Sequence, residues 1–413
     1  MMLFNIFIIA LLGCISECRL AKSPLLHWYA PFYSGGGYSS EALSFVKIIA
    51  AQNISVRITQ HGDSFNKKYV EHMEPSDTKL LRHMDTFVAT SGEVSICHSE
   101  PGAWHAPYPR YHTYRCPAQD AAYTIGRTMF ETDRIPNGWA DRLNTMDEIW
   151  VPTEFAATIF KEYGVAANKV IVVEEPVDTN FYRPMRDKSA DTLRTVVDTF
   201  APPQTVPPEA SDTACVFLFV GKWEYRKGVQ LLLRAFFDAF ATDNEQIEDV
   251  LLVVVTSAYH STSDFHSEIR RYLREEGILS PPRGQSHAKG NGERGEGAIA
   301  SLLARIVLLW DVPQAAMPAL YNAADVLVRP SPRDYLSAYP VCVCVYLFIL
   351  RCVFVYLLSL QVIPSRGEGW GRPHVEAMSC GIPVIATNWS GVTAYLTADN
   401  GYPLAVEGLV PAR

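Results

Sequence analysis

The 413 residues contain no C-x-x-C pair and no D-x-D triplet. The first absence argues against a structural zinc site, since the cysteines otherwise lie far apart or in apolar runs. The second removes the acidic pair that would hold a divalent cation on a diphosphate, so neither a metal nor a separate cofactor is expected. Gly35, Gly36 and Gly37 follow the first strand but lack the spacing of a dinucleotide fingerprint, which argues against a dehydrogenase. Positive charge is also in short supply. Lys and Arg number 36 against 44 Asp and Glu, for a net charge of −8. The basic residues are dispersed, with no basic-aromatic stripe, so nucleic acid is not expected as a partner.

What is present is enough apolar sequence, 48% of the chain, to bury two ordinary domain cores. Residues 1–13 are almost wholly apolar, and 1–20 read as a signal peptide or signal anchor, although Lys and Arg are missing ahead of the apolar run. That places the protein in the secretory pathway, in the lumen of the endoplasmic reticulum or Golgi. Cys97 and Cys116 bracket one loop and could pair there, but two free thiols are the expectation taken. Asn53-Ile54-Ser55 is an acceptor sequon near a strand. A first domain is expected over 21–186, a Pro-, Thr- and Asp-rich linker over 187–212 and a second domain over 213–413. Strands at Leu25 to Tyr29, Ile54 to Ile58 and Val94 to Cys97 alternate with helices in the first domain. His98 closes the third of these strands. Ligands in open α/β sheets gather outside such strand ends, so His98 is a site candidate as well as an ordinary loop histidine. His105 and His112 read as parts of a packed loop.

The densest chemistry lies in Arg366 to Gly381, RGEGWGRPHVEAMSCG. Gly369 and Gly371 allow a sharp turn and a close approach of backbone to ligand. Pro373 suits the first helical position, and Gly381 suits the stop. Such a helix start aims free N–H groups at an anion. Glu376, in the first turns, can accept a pair of hydroxyls, while Glu368, in the loop ahead, can reach another part of the same ligand. Upstream, VGKWEYRKG places Lys222 and Lys227 between a strand end and a helix, where they can neutralise a diphosphate without metal. Pyrophosphate, ribose and sugar together make a sugar nucleotide.

The motif and its continuation, CGIPVIATNWSG, resemble the E-x7-E signature of retaining glycosyltransferases of the GT-B fold, the group 1 or family-four type. The stretch from Thr124 through Val165 and VVEEPVDTNFYRP resembles the end of that family's N-terminal half. The resemblance implies two Rossmann-like α/β domains facing across a cleft. It also implies transfer of a sugar, with retention, from a nucleotide diphosphate sugar to an acceptor hydroxyl on a glycan, lipid or protein. Glu376 would bind the donor ribose and Glu368 would lie near the donor sugar. Gly36 would belong to a loop lining the cleft, and Lys222 stands where the family usually carries Arg.

Two departures bear on the expectation. Residues 332–364 form a long apolar insertion between the strand expected at Val326 to Val328 and the motif loop. A membrane span through 341–363 would split one domain, so translated non-coding sequence is the preferred reading. Membrane contact is otherwise expected through the N-terminus. The chain also stops at Arg413, short of the helices with which the resembling proteins end. The competing expectation is an inactive sugar-nucleotide-binding or membrane-anchored protein.

Overall fold

The computed structural model describes residues 25–85, 93–104, 114–185, 190–200, 215–240, 250–257, 264–279, 296–310, 312–323, 360–363, 365–406 and 408–409. The chain divides into two compact units, Met1–Pro176 and Val177–Arg413.

In the first unit the described strands are β1 (Leu26–Ala30), β2 (Val56–Gln60), β3 (Val94–His98), β4 (Tyr123–Arg127), β5 (Glu148–Val151) and β6 (Val170–Val172). The helices are α1 (Gly37–Ala51), α2 (Lys67–Glu71), α3 (Pro75–Asp85), α4 (Trp139–Leu143) and α5 (Glu154–Glu162). The strands form one sheet in the order β2-β1-β3-β4-β5-β6, every adjacent pair parallel. Side chains alternate across a strand, so a sheet covered on both faces needs apolar residues at nearly every position. In β1, Leu26, Trp28 and Ala30 enter one core cluster and Tyr29 enters the other. Thr153 caps α5, its hydroxyl accepting from the backbone N–H of Ala156 at 3.1 Å.

The second unit contains α6 (Ala190–Phe200), β7 (Cys215–Val220), α7 (Val229–Phe240), β8 (Val250–Thr256), α8 (Phe265–Glu275), α9 (Glu296–Ala304) and β9 (Ile306–Trp310). After these come α10 (Met317–Ala323), β10 (Leu360–Ile363), α11 (Arg372–Ser379), β11 (Val384–Thr387) and β12 (Tyr402–Leu404). Its sheet runs β12-β11-β10-β7-β8-β9 and is again parallel. In β8 the alternation is complete: Val250, Leu252 and Val254 enter one cluster, Leu251, Val253 and Val255 the other.

Three expectations need correction. The boundary falls after Pro176, ahead of the expected linker, and part of that linker is the helix α6, with Val196 and Val197 in the second unit's core. Leu193, Val196, Val197 and Phe200 recur at helical spacing, a stripe masked in the sequence by the Pro and Thr that follow. Cys97 and Cys116, expected as free thiols, are disulfide-bonded, with Cα atoms 5.8 Å apart. The backbone N–H of Ala118 donates to Ser95 Oγ at 3.3 Å, which brings the return of the loop alongside β3.

The third correction concerns the insertion. Residues 360–363, inside the expected 332–364 span, form β10, which pairs with β7 on one side and β11 on the other. The strand expected at Val326 to Val328 lies outside the described residues, as do residues 332–359, His105, His112 and residues 1–20. Among the described residues no helix is long and apolar enough to cross a membrane.

Candidate functional site

Neighbouring strands whose connections leave in opposite directions open a crevice at their carboxyl ends. In the second sheet that point lies between β7 and β10. The loop after β7 carries Lys222 and Lys227, and the loop after β10 carries Glu368, Gly369 and Gly371.

The two loops are joined. Lys227 Nζ donates to Glu368 Oε1 at 2.7 Å and Oε2 at 2.8 Å. Arg226, which the sequence reading passed over, donates from Nη1 to Glu368 Oε2 at 3.2 Å and to the carbonyl of Gly367 at 2.9 Å. Its Nη2 reaches Glu224 at 2.8 Å. The backbone N–H of Arg366 donates to the carbonyl of Arg226 at 2.7 Å, and the Arg366 guanidinium lies 3.7 Å from the centre of the Tyr225 ring. Burial pushes the Glu368 carboxyl up, but Lys227 and then Arg226 more than offset it and hold it at about 2. The ammonium expected to meet a diphosphate is thus held by the first motif glutamate. Lys222 is half-buried on the same loop.

The turn itself requires glycine. Gly371 is left-handed at φ 98°, and a Cβ there would come within 2.5 Å of His374 Nδ1 and 2.7 Å of the Tyr395 hydroxyl. Tyr395 Oη donates to the carbonyl of Trp370 at 2.8 Å. The backbone N–H of Glu368 donates to Ser390 Oγ at 2.8 Å, and the N–H of Gly391 donates to the carbonyl of Glu368 at 2.9 Å. A Cβ on Gly391 would collide with the Gly369 carbonyl, so the loop after β11 packs directly under the turn. Helix α11 begins at Arg372, Pro373 occupies its second position, and Gly381, at φ 78°, follows its end. The indole N–H of Trp370, in the turn, is buried without a hydrogen-bond partner among the described residues. Such a donor is the kind of group a ligand oxygen satisfies.

Glu376 is buried, and Tyr321 donates to its Oε2 at 3.0 Å. Arg372 Nε stands 3.7 Å from Oε1, beyond hydrogen-bond length. Burial pushes this carboxyl above its ordinary range, outweighing Arg372 and the hydrogen bonds from Tyr321 and Tyr182. The two motif glutamates are therefore opposites. Glu368 is over-supplied with cations, whereas Glu376 gains from further donors.

In the first unit the corresponding crevice lies between β1 and β3. The glycine loop follows β1 and His98 ends β3. Gly36 is the N-cap of α1 with extended backbone, φ −91° and ψ −177°, and has room for a side chain; Gly35, at φ 80°, does not, because Tyr69 lies against it. His98 is fully buried. The indole N–H of Trp28 donates to its Nδ1 at 3.1 Å, so that nitrogen is unprotonated and Nε2 carries the proton, 2.9 Å from Glu41 Oε2. Glu41 also accepts from Arg127 Nε at 2.7 Å and from Arg127 Nη2, while Arg127 Nη1 donates to the carbonyl of Val173 at 2.5 Å. Burial opposes ionisation of Glu41, yet Arg127 and His98 outweigh it and hold the carboxyl at about 2. His98, a site candidate from its place at the strand end, has both ring nitrogens hydrogen-bonded inside this network. No signal in the sequence linked Glu41 to Arg127, which are 86 residues apart.

Residues 354–407 match the family model for group 1 glycosyl transferases, a span that contains the Glu368–Glu376 motif. The D-inositol 3-phosphate glycosyltransferase 2 of Catenulispora acidiphila is 25% identical over 286 residues, 66% of this chain and 48% of that protein. The chain thus spans about half the length of that curated relative. Among solved structures, HepE of Anabaena in complex with UDP-glucose superposes with a TM-score of 0.53 at 14% identity, over 93% of this chain and 86% of that one. The same protein with UDP and glucose gives 0.50 at 14% identity, over 92% and 85%. The likeness is one of fold: mixed α/β with parallel sheets, as expected of a GT-B chain.

Proposed function

We propose that this protein is a glycosyltransferase that moves a sugar from a nucleotide diphosphate sugar to an acceptor hydroxyl, with retention of anomeric configuration. The observation that carries the reading is the pairing of Lys227 with Glu368 beside the start of α11, with Glu376 about one turn along the same helix. Diphosphate oxygens would replace Glu368 as partners of Lys227, joined by Arg226, Lys222 and the positive end of the α11 dipole. The ribose hydroxyls would donate to Glu376, relieving a buried carboxylate that has too few donors. As the glycosidic bond breaks, negative charge grows on the diphosphate, and these fixed cations stabilise it more in the transition state than before. Retention requires the acceptor hydroxyl to attack from the face the diphosphate leaves.

The base, the sugar and the acceptor (glycan, lipid or protein) are open. UDP-glucose is the first probe to use, because HepE binds it. The disulfide Cys97–Cys116 supports an oxidising compartment, and we infer that the chain resides in the secretory pathway. The function is tested by incubating the purified chain with labelled nucleotide sugars and following sugar release or transfer by proton NMR. The expected product keeps the donor's anomeric configuration. An inverted product would refute retention, and no turnover with any donor would refute the activity.

A further inference from the structure

Two N-x-S sequons lie among the described residues, Asn53-Ile54-Ser55 and Asn388-Trp389-Ser390, and the folds of their units treat them oppositely. Asn53 stands in the turn between the end of α1 and the start of β2, at the amino ends of the first sheet's strands. Its backbone is left-handed at φ 58°, a conformation that Asn tolerates better than most residues, and its N–H donates to the carbonyl of Ala50 at 2.9 Å. Asn53 and Ser55 are both exposed, and neither side chain forms a hydrogen bond among the described residues. Asn388 follows β11, at the carboxyl ends of the second sheet. Its amide is exposed, but Ser390 is 1% exposed and its Oγ accepts the Glu368 N–H. The hydroxyl that a sequon must present is therefore built into the donor turn.

We propose that Asn53 carries an N-linked oligosaccharide and that Asn388 does not. The inference rests on the secretory-pathway reading above. The co-reactant is a lipid-diphosphate-linked oligosaccharide handled by a separate transferase of the lumen. The Asn53 amide nitrogen bonds to the sugar C1, the C1–O bond to the diphosphate breaks, the amide loses one proton and the lipid diphosphate departs. A glycan at Asn53 projects from the amino ends of the strands and beside the edge strand β2, leaving the carboxyl ends open to ligands. A glycan at Asn388 would instead stand at the mouth of the site.

The test is translation in the presence of microsomes, in two forms: the chain with its own N-terminus, and the chain fused behind a proven signal peptide. Each form is followed by protease protection, endoglycosidase treatment and peptide mass spectrometry. The expected result in both is a protected chain with one endoglycosidase-sensitive glycan, lost in Asn53→Gln and kept in Asn388→Gln. If the native form is unprotected and unmodified while the fused form gains its glycan, the secretory reading fails and the proposal falls with it. If the fused form is protected but bare, or keeps its glycan in Asn53→Gln, the assignment of Asn53 is overturned whatever the compartment.

Discussion

Both sheets place a buried glutamate with an arginine at the point where their strand order reverses, but the two arrangements do different things. In the first unit Glu41 and Arg127 are wholly buried, and His98 and a backbone carbonyl share their hydrogen bonds. In the second, Glu368 is also buried, but its partners remain partly open: the Lys227 side chain is 14% exposed and that of Arg226 32%. A closed network links β1, β3, β4 and the end of β6 to α1, with Trp28, His98, Glu41 and Arg127 all fully buried. An open one leaves its cations within reach of solvent, where the proposed donor diphosphate would meet them. The same residue chemistry is structural in one place and available in the other, and accessibility of the cation separates them.

The comparison is broken most forcefully at Arg127. Arg127→Met leaves Glu41 buried with only a neutral histidine, and loss of one partner from a buried pair typically costs about 3–5 kcal/mol. Urea denaturation should show a loss of that size. Lys227→Met should cost less than about 2 kcal/mol by the same measurement, because Arg226 still faces Glu368 and the site is partly solvated. Equal losses in the two variants would erase the distinction between closed and open networks.

Acid titration sharpens it further. Glu41 and Glu368 are both held at about 2, against an ordinary value of 4.5. Their ionised forms favour the folded state, so that stability is present above about 4.5 and is lost as pH falls from there towards 2. Glu376 has the opposite sign. Its raised carboxyl favours the folded state when protonated, and that contribution fades as pH rises through its folded value. Binding of ribose hydroxyls needs the ionised form, so donor affinity should fall as pH is lowered through the same value, and Glu376→Gln should weaken binding and flatten the profile. Calorimetric titrations at several pH values check both. The smallest effect expected is none: a chelator should leave transfer unchanged if, as proposed, lysines and a helix start serve the diphosphate. Loss of activity restored by Mn²⁺ or Mg²⁺ would move the diphosphate onto a metal.

Much of this was legible in the sequence because it was local. The turn at Gly371, the stop at Gly381, the cap at Thr153 and the strand Val250–Thr256 all follow from residue types at fixed offsets. Arg226, between Tyr225 and Lys227, was missed because an arginine beside a lysine reads as solvated charge until its partner, 142 residues away, is known. Glu41 with Arg127 is a long-range pairing of the same sort, fixed by the packing of α1 on the sheet rather than by neighbours in sequence. The identity of β10 was ambiguous for another reason. Leu327-Val328-Arg329-Pro330-Ser331 and Gln361-Val362-Ile363-Pro364-Ser365 are similar apolar runs ending in Pro-Ser, and either could enter a parallel sheet before the motif. The second pairs with β7 and β11, and the first lies outside the described residues.

The central claim is that Lys227 holds a donor diphosphate in exchange for Glu368. It is tested most directly by screening nucleotide sugars, UDP-glucose first, by thermal shift and then titrating the best binder calorimetrically into the wild type and Lys227→Met. A lost charged hydrogen bond contributes roughly 1.5–3 kcal/mol, so the variant should bind about tenfold or more weakly while remaining folded. Equal affinity for both proteins, or no binding by any nucleotide sugar, would contradict it.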